Sequence, residues 1–395
     1  MNATPSPAPD KRLFTPGPLT TSATVKQAML HDAGSWHFDF AERVRWIRGQ
    51  LLAIAGLSQA DGWEAVLLQG SGTNGVEAVF ATCVPLGGKV CVLSNGAYGE
   101  RMTHMLSRLQ IPFFVLRSNE DQLPDVALLD RVLSTDPSFT HVAAVHCETT
   151  TGILNPIDEI GRLSHRHACL FVVDAMSSFG AIPIDFEEAG IDFLVSSANK
   201  CLEGVPGFCF VLGRRDGLLA NEKQARCLSL DLADQLRGFE RNSQFRFTPP
   251  THTLLAFEQA LREFQLEGGL LARHRRYHDN HVRLVAGMQR LGFKPFLPPA
   301  VQSCIITAFH FPSSVRFQFP EFYRLLSDKG FIIYPGKLTH TETFRIANIG
   351  HLFEADIRAL LSAVAQVQQE LGFHTDPDRA ANQMVGSLRV IPLFL

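Results

Sequence analysis

The 395-residue sequence predicts an α/β protein, a large domain on a mostly parallel sheet followed by a smaller C-terminal α+β domain. Three observations predict it. Short apolar or β-branched runs alternate with helix-length segments through the first two thirds of the chain, and proline marks helix starts. After about residue 250 the pattern changes to long amphipathic helices and a few short strands.

In order, the expected strands are Ala65–Gln69, Lys89–Ser94, Pro112–Leu116, His141–His146, Cys169–Asp174, Phe193–Ser196 and Gly207–Leu212. Their near-continuous apolar character suits strands covered on both faces, which leads to a sheet of about seven mostly parallel strands. Pro124 and Pro156 are each expected just inside a helix start, opening Asp125–Leu133 and Ile157–His165. Helices Thr253–Glu267 and Leu270–Leu291, strands Ser303–His310 and Phe331–Tyr334, and a last helix Glu354–Leu371 complete the pattern. The expected organisation is a loosely ordered arm over 1–12, a large domain over 13–260, a small domain over 261–373 and an extension over 374–395.

Composition narrows the function. A net charge of −3 with 19% charged residues offers no electrostatic surface for nucleic acid. No apolar stretch reaches the roughly 18–20 residues of a membrane span, and Met1–Asp10 has no apolar signal core. A cytoplasmic location is expected. The 8 cysteines include no C-x-x-C pair and several lie in apolar runs, as reduced, buried thiols do. The 15 histidines lack ligand spacing, so no metal is expected; His165 and His167, two apart on a helix, would face different ways.

Three features carry chemistry. Ala65–Gln69 runs into Gly70-Ser-Gly-Thr-Asn-Gly75 and a helix from Val76 to Thr82, a turn that aims N–H groups and a positive helix end at one spot and suits a phosphate. An ordinary tight turn is the alternative. Asp174 ends an apolar strand on the edge where ligands of open α/β sheets bind; it could pair with a protonated ring nitrogen or cap the next turn. Lys200, in Ser197-Ala-Asn-Lys200 and backed by Gly204 and Gly207, is placed to form an imine with an aldehyde, or is a solvated surface lysine. An anion cradle, an acid that keeps a pyridine nitrogen protonated and an imine lysine are together what pyridoxal 5′-phosphate requires.

At this point the sequence resembles the class V aminotransferases, fold type I pyridoxal phosphate enzymes, from Leu13 to about Phe373. Within that family it is most similar to the transaminases that pair 2-aminoethylphosphonate with pyruvate. Leu13–Leu19, Ser35-Trp36, Asp39-Phe40, Gly70–Thr73, Ser94–Arg101, His146–Gly152, Val173–Gly180, Ser197–Cys201, Gly204–Phe208, Gly330–Lys337 and Thr343–Gly350 carry the likeness. One departure is Ala347, where the family pattern has glycine; it sets a methyl group beside Arg345.

The resemblance implies roles. Lys200 would be the imine lysine and proton shuttle, Asp174 the partner of the pyridine nitrogen, and Tyr98 the ring on the cofactor face. Ser71, Gly72 and Thr73 would hold the phosphate, Thr149 would sit near the ring hydroxyl, and Ser197 would make a further phosphate or ring contact. Thr248 would reach the phosphate of the neighbouring subunit's cofactor, which implies a homodimer, and Arg345 would take the anionic end of the substrate. Tyr98 read alone could be a core aromatic, and Arg345 half of a structural ion pair; His37, His146 and His310 read as structural.

The expected reaction converts 2-aminoethylphosphonate and pyruvate to phosphonoacetaldehyde and L-alanine. Alternatives are a serine– or alanine–glyoxylate aminotransferase, a transaminase of another aminophosphonate, or, from a different class, a non-catalytic binding protein on the same fold. The last would be expected to lack the lysine or the acid, and both are present. A cysteine desulfurase would need a nucleophilic cysteine on a loop of the C-terminal domain, and the only cysteine beyond Cys227 is Cys304, in a strand-like run.

Overall fold

The computed structural model describes residues 10–373. The expected extension over 374–395 and most of the arm over 1–12 lie outside the described residues. In spatial order the main sheet runs Trp63–Gly70, Gly207–Arg214, Phe193–Ser197, Leu170–Asp174, Phe139–Val145, Lys89–Ser94 and Phe113–Arg117. Gly207–Arg214 is antiparallel to both neighbours, and the pairs from Phe193–Ser197 outward are parallel.

The central strands Lys89–Ser94, Phe139–Val145, Leu170–Asp174 and Phe193–Ser197 are buried almost throughout, because helices lie on the sheet. Helix Gly72–Cys83 packs on Gly207–Arg214 and Phe193–Ser197, and Phe38–Ile54 packs on Trp63–Gly70. Val76, Val79 and Phe80 face inward, each contributing on the order of 1.5–3 kcal/mol on burial. Register brings Val145, Asp174 and Val195 level, so the carboxyl ends of the parallel strands form one edge, and the site lies there.

Several starts and stops differ from expectation for identifiable reasons. The helix after Gly70 starts at Gly72 rather than at Val76: the Asn74 side chain accepts from Ser71 N at 2.8 Å, which turns most of the glycine-rich segment into a capped first helical turn. Both prolines lie outside their helices. Asp125 is the cap, its carboxylate accepting from Leu128 N at 2.8 Å, so Pro124 precedes the cap; Pro156 is itself the cap residue, with Asp158 and Glu159 in the turn that follows. The strand expected over Phe331–Tyr334 splits at Ile333, Phe331–Ile332 pairing with Arg12–Leu13 and Tyr334–Pro335 with Thr343–Ala347. The strand expected from Ser303 begins at Ile306, because Ser303 N donates instead to Gly152 O.

A second core forms around the sheet Ile306–His310, Thr343–Ala347 and Tyr334–Pro335, where Phe293, Phe309, Phe317, Phe322 and Phe344 pack together. Phe264 of helix Thr251–Glu267 still belongs to the first core, whereas Leu284 and Met288 of Gly269–Arg290 belong to the second. Arg345 lies on the middle strand of this smaller sheet.

Candidate active site

One cavity at the carboxyl edge is lined by Ser71, Gly72, Thr73, Tyr98, Asp174, Ser197 and Lys200, seven of the ten residues singled out from sequence, and also by Arg101, Met176 and Asn199. The first helical turn from Gly72 directs N–H groups without an intrahelical acceptor at it. Asp174 leaves its strand buried, one carboxylate oxygen accepting from Met176 N at 2.9 Å. Burial pushes its carboxyl up to about 6, against that hydrogen bond and the charges of Lys200 and Arg101.

Lys200 follows the Phe193–Ser197 strand, and its amine donates to Pro16 O at 2.7 Å. Burial lowers its basicity, while Tyr98 and Asp174 work in the opposite direction. The N-terminal segment closes over this side chain at Gly17, where φ is +121° and a β-carbon would lie 2.7 Å from Lys200 Cδ, so both the turn and the close approach require glycine.

Tyr98 sits in the first turn of helix Ala97–Arg108, which begins at Gly96 without a side-chain cap. Glu148 does that work from another segment. Its fully buried carboxylate accepts from Tyr98 N at 3.1 Å and from Thr150 N at 3.0 Å, and a β-carbon on Gly96 would stand 2.4 Å from Glu148 Cγ. Burial raises the pKa of Glu148. Burial likewise raises that of the Tyr98 phenol, but Lys200, a hydrogen bond with the buried Thr149 and Lys337 together outweigh it and bring it below its ordinary value.

The three remaining predicted residues lie elsewhere. Thr149 does not line the cavity; its side chain shares a hydrogen bond with the Tyr98 phenol, and its carbonyl accepts from Arg345 Nη1 at 2.7 Å. Arg345 is 1% exposed, and its Nε donates to Pro335 O at 3.0 Å. The structural ion pair considered from sequence is absent among the described residues: Arg345 is held by backbone carbonyls, and burial lowers its pKa. Thr248 does not line this cavity; it is exposed, and its carbonyl accepts from Gln69 Nε2 at 2.9 Å.

Arg101 was missed from sequence. It stands three residues after Tyr98 on the same helix, a spacing that puts both on one face; its Cζ lies 4.7 Å from the Tyr98 ring centroid and its Nη1 donates to Thr73 Oγ1 at 3.2 Å. Lys337, also missed, has its Nζ 5.9 Å from the same centroid. Among the described residues neither has a carboxylate in ion-pair range, nor does Lys200 or Arg345. Two of these cations, Lys200 and Arg101, line the cavity together with Asp174, whose carboxyl burial holds towards its protonated form.

No group of three or more potential metal ligands occurs among the described residues. His165 pairs with Asp192 at 2.9 Å and His167 with Asp130 at 2.8 Å, while buried His146 bonds Ser178 and is pushed down to about 4. Cys304 is buried and its thiol is raised to about 11, the reverse of a reactive thiolate.

Sheet, edge cavity and buried lysine define a class: the chain belongs to the class V aminotransferases, whose family profile matches residues 33–347, and membership of that family implies dependence on pyridoxal phosphate. Two solved structures share the fold along nearly the whole chain. A pyridoxamine–pyruvate aminotransferase from Mesorhizobium loti has a TM-score of 0.85 at 22% identity, covering 96% of this chain and 98% of its own. A ureidoglycine–glyoxylate aminotransferase from Bacillus subtilis has a TM-score of 0.86 at 20% identity, covering 97% and 100%. More particularly, the chain is 51% identical over 354 residues to the 2-aminoethylphosphonate–pyruvate transaminases of Klebsiella pneumoniae and Salmonella typhimurium, covering 89% of this chain and 96% of each relative.

Proposed function

We propose that this aminotransferase moves the amino group of 2-aminoethylphosphonate to pyruvate, giving phosphonoacetaldehyde and L-alanine, with pyridoxal phosphate as cofactor. The observation that carries the reading is the convergence, in one cavity, of a lysine of lowered basicity, a buried acid and a helix N-terminus. The residues present fit the cofactor: cations without carboxylate partners call for anions, and a buried carboxyl with one hydrogen bond calls for a cationic partner.

When bound, pyridoxal phosphate supplies an aldehyde that condenses with amines and a cationic ring that accepts the electron pair freed at carbon. Asp174 would hold the proton on the ring nitrogen, and that positive partner would draw the carboxyl back to its ionised form. Ser71, Gly72 and Thr73 would hold the phosphate with hydroxyl and N–H donors, Arg101 adding charge from beside Thr73, and Ser197 would line the same end. Tyr98 would cover one face of the ring, and Thr149, hydrogen-bonded to the Tyr98 phenol, would sit near the ring hydroxyl.

Lys200 would act as general base and then general acid, its Nζ taking the proton from the carbon that bears the substrate amine and returning it on the other side of the transferred nitrogen. Its lowered basicity leaves more of the amine neutral for that task. Arg345 would bind the anionic end of either substrate, the end that does not react, so one guanidinium serves both half-reactions. The exposed Thr248 would reach the cofactor phosphate of the partner in a homodimer. Buried, unpaired cysteines suit a reducing, cytoplasmic setting.

The test is a panel of amines with pyruvate as acceptor, scored by alanine formation. 2-Aminoethylphosphonate is expected to lead the panel. Activity confined to serine or alanine with glyoxylate would remove the substrate assignment.

A further inference from the structure

Arg345 does not meet a substrate with a free guanidinium. Pro335 O takes its Nε–H and Thr149 O takes one proton of Nη1, so an anion would have to use the edge formed by the three remaining N–H groups. That edge can pair with the two oxygens of a carboxylate. A phosphonate has three oxygens and, like a phosphate monoester with its second pKa near about 6, close to two charges at neutral pH. One partly engaged guanidinium leaves part of that charge unmatched.

The second cation is carried by the loop that Arg345 itself anchors. Pro335, whose carbonyl takes the Arg345 Nε–H, ends the short strand Tyr334–Pro335, and Gly336 N donates to Thr343 O at 2.9 Å. Lys337 comes next, is exposed, and directs its Nζ to within 5.9 Å of the centroid of Tyr98, a ring of the cavity wall. Tyr98 feels the charges of both Lys337 and Lys200, and Arg345 in turn feels Tyr98, so the three cations reach one neighbourhood from three different segments. An exposed lysine on a flexible stem pays little desolvation and can follow a tetrahedral anion.

We infer that Lys337 is a second anchor for the substrate's anionic end, which it uses to favour a doubly charged phosphonate over a singly charged carboxylate; this rests on the reading of the amino donor as an aminophosphonate. Arg345 serves both substrates, and Lys337 serves the phosphonate.

The experiment compares wild type, Lys337→Met, Lys337→Arg and Arg345→Lys, with KM measured for 2-aminoethylphosphonate and for pyruvate. It also uses ethylphosphonate and propionate as inhibitors against whichever donor the enzyme turns over. Lys337→Met is expected to raise the KM for the aminophosphonate and the Ki for ethylphosphonate about tenfold or more, as loss of a charge-assisted contact does. Pyruvate and propionate should shift by less than about threefold, on the same scale. Lys337→Arg should restore most of the phosphonate binding, and Arg345→Lys should weaken all four ligands. Equal shifts for phosphonate and carboxylate in Lys337→Met, or no shift in either, would overturn the inference. A wild type that ignores 2-aminoethylphosphonate would remove the donor assignment, and the ethylphosphonate and propionate pair would still decide the role of Lys337.

Discussion

Asp174→Asn should make the cofactor-free protein more stable at neutral pH while disabling the enzyme. The folded carboxyl titrates at about 6 rather than at its ordinary 3.8, mainly because it is buried. At about 1.4 kcal/mol per pH unit, that difference is about 3 kcal/mol of folding free energy that this one group forfeits. The direction follows from which state ionises first. Below pH 3.8 the acid is protonated in both states, and no stability is lost. As pH rises from 3.8 to about 6 the unfolded chain ionises while the folded one keeps its proton, and stability falls; above about 6 the loss is constant. Asparagine keeps the acceptor for Met176 N but does not titrate.

The assay is urea unfolding of the cofactor-free wild type and variant at one protein concentration, near about pH 4.5 and about pH 7.5. The advantage of the variant should be about 2 kcal/mol larger at the higher pH. Adding pyridoxal phosphate should favour the wild type, whose carboxylate then gains a cationic partner, and the variant should bind cofactor but turn over slowly. A stability difference that is the same at both pH values would refute the reasoning, since the carboxyl would then carry no burial penalty.

Two further outcomes test the remaining assignments. Lys200→Ala loses an amine whose one hydrogen bond is to Pro16 O, so the protein should fold by circular dichroism yet turn over at least about a thousandfold more slowly; near-normal rates would displace Lys200 from the chemistry. Thr248→Ala should weaken cofactor retention in a homodimer, and a mixed dimer with a Lys200→Ala subunit decides the geometry. There the lysine-bearing site is served by the intact Thr248 of its partner and should retain cofactor normally; loss from that site would place the contact within one subunit.

Much of the site was legible because it is written in contiguous segments at strand ends. The apolar run into Asp174, the Ser197–Lys200 segment and the turn at Gly70–Thr73 each join a periodic pattern to a break in it, and the parallel sheet brings such breaks to one edge. What sequence reasoning misread was the start of the helix at Gly72, since the Asn74 side chain competes for Ser71 N and converts a loop into a capped turn. Both prolines marked helix starts but lie before the first helical residue, Pro124 because Asp125 supplies the cap acceptor and Pro156 because it is itself the cap residue.

The residues missed depend on contacts between distant segments. Glu148 caps a helix some 50 residues before it, and Lys337 reaches Tyr98 from a loop held by Arg345 at Pro335 and by Glu120 at Thr339. Neither arrangement leaves a local signature. Arg101 did leave one, the three-residue spacing from Tyr98, which becomes informative only when both are known to face a cavity. Sequence assigns Arg345 an anion as partner, with a structural ion pair as the alternative; the partners present are two backbone carbonyls at 3.0 and 2.7 Å, contacts between distant segments that no local pattern announces.

The most direct measurement follows the transferred nitrogen. The purified enzyme with pyridoxal phosphate is given 2-aminoethylphosphonate bearing isotope-labelled nitrogen, together with unlabelled pyruvate, and the products are read by mass spectrometry. The account predicts labelled alanine and phosphonoacetaldehyde in equal amounts, abolished by Lys200→Ala. No labelled alanine from a preparation that does transaminate other amines would contradict it.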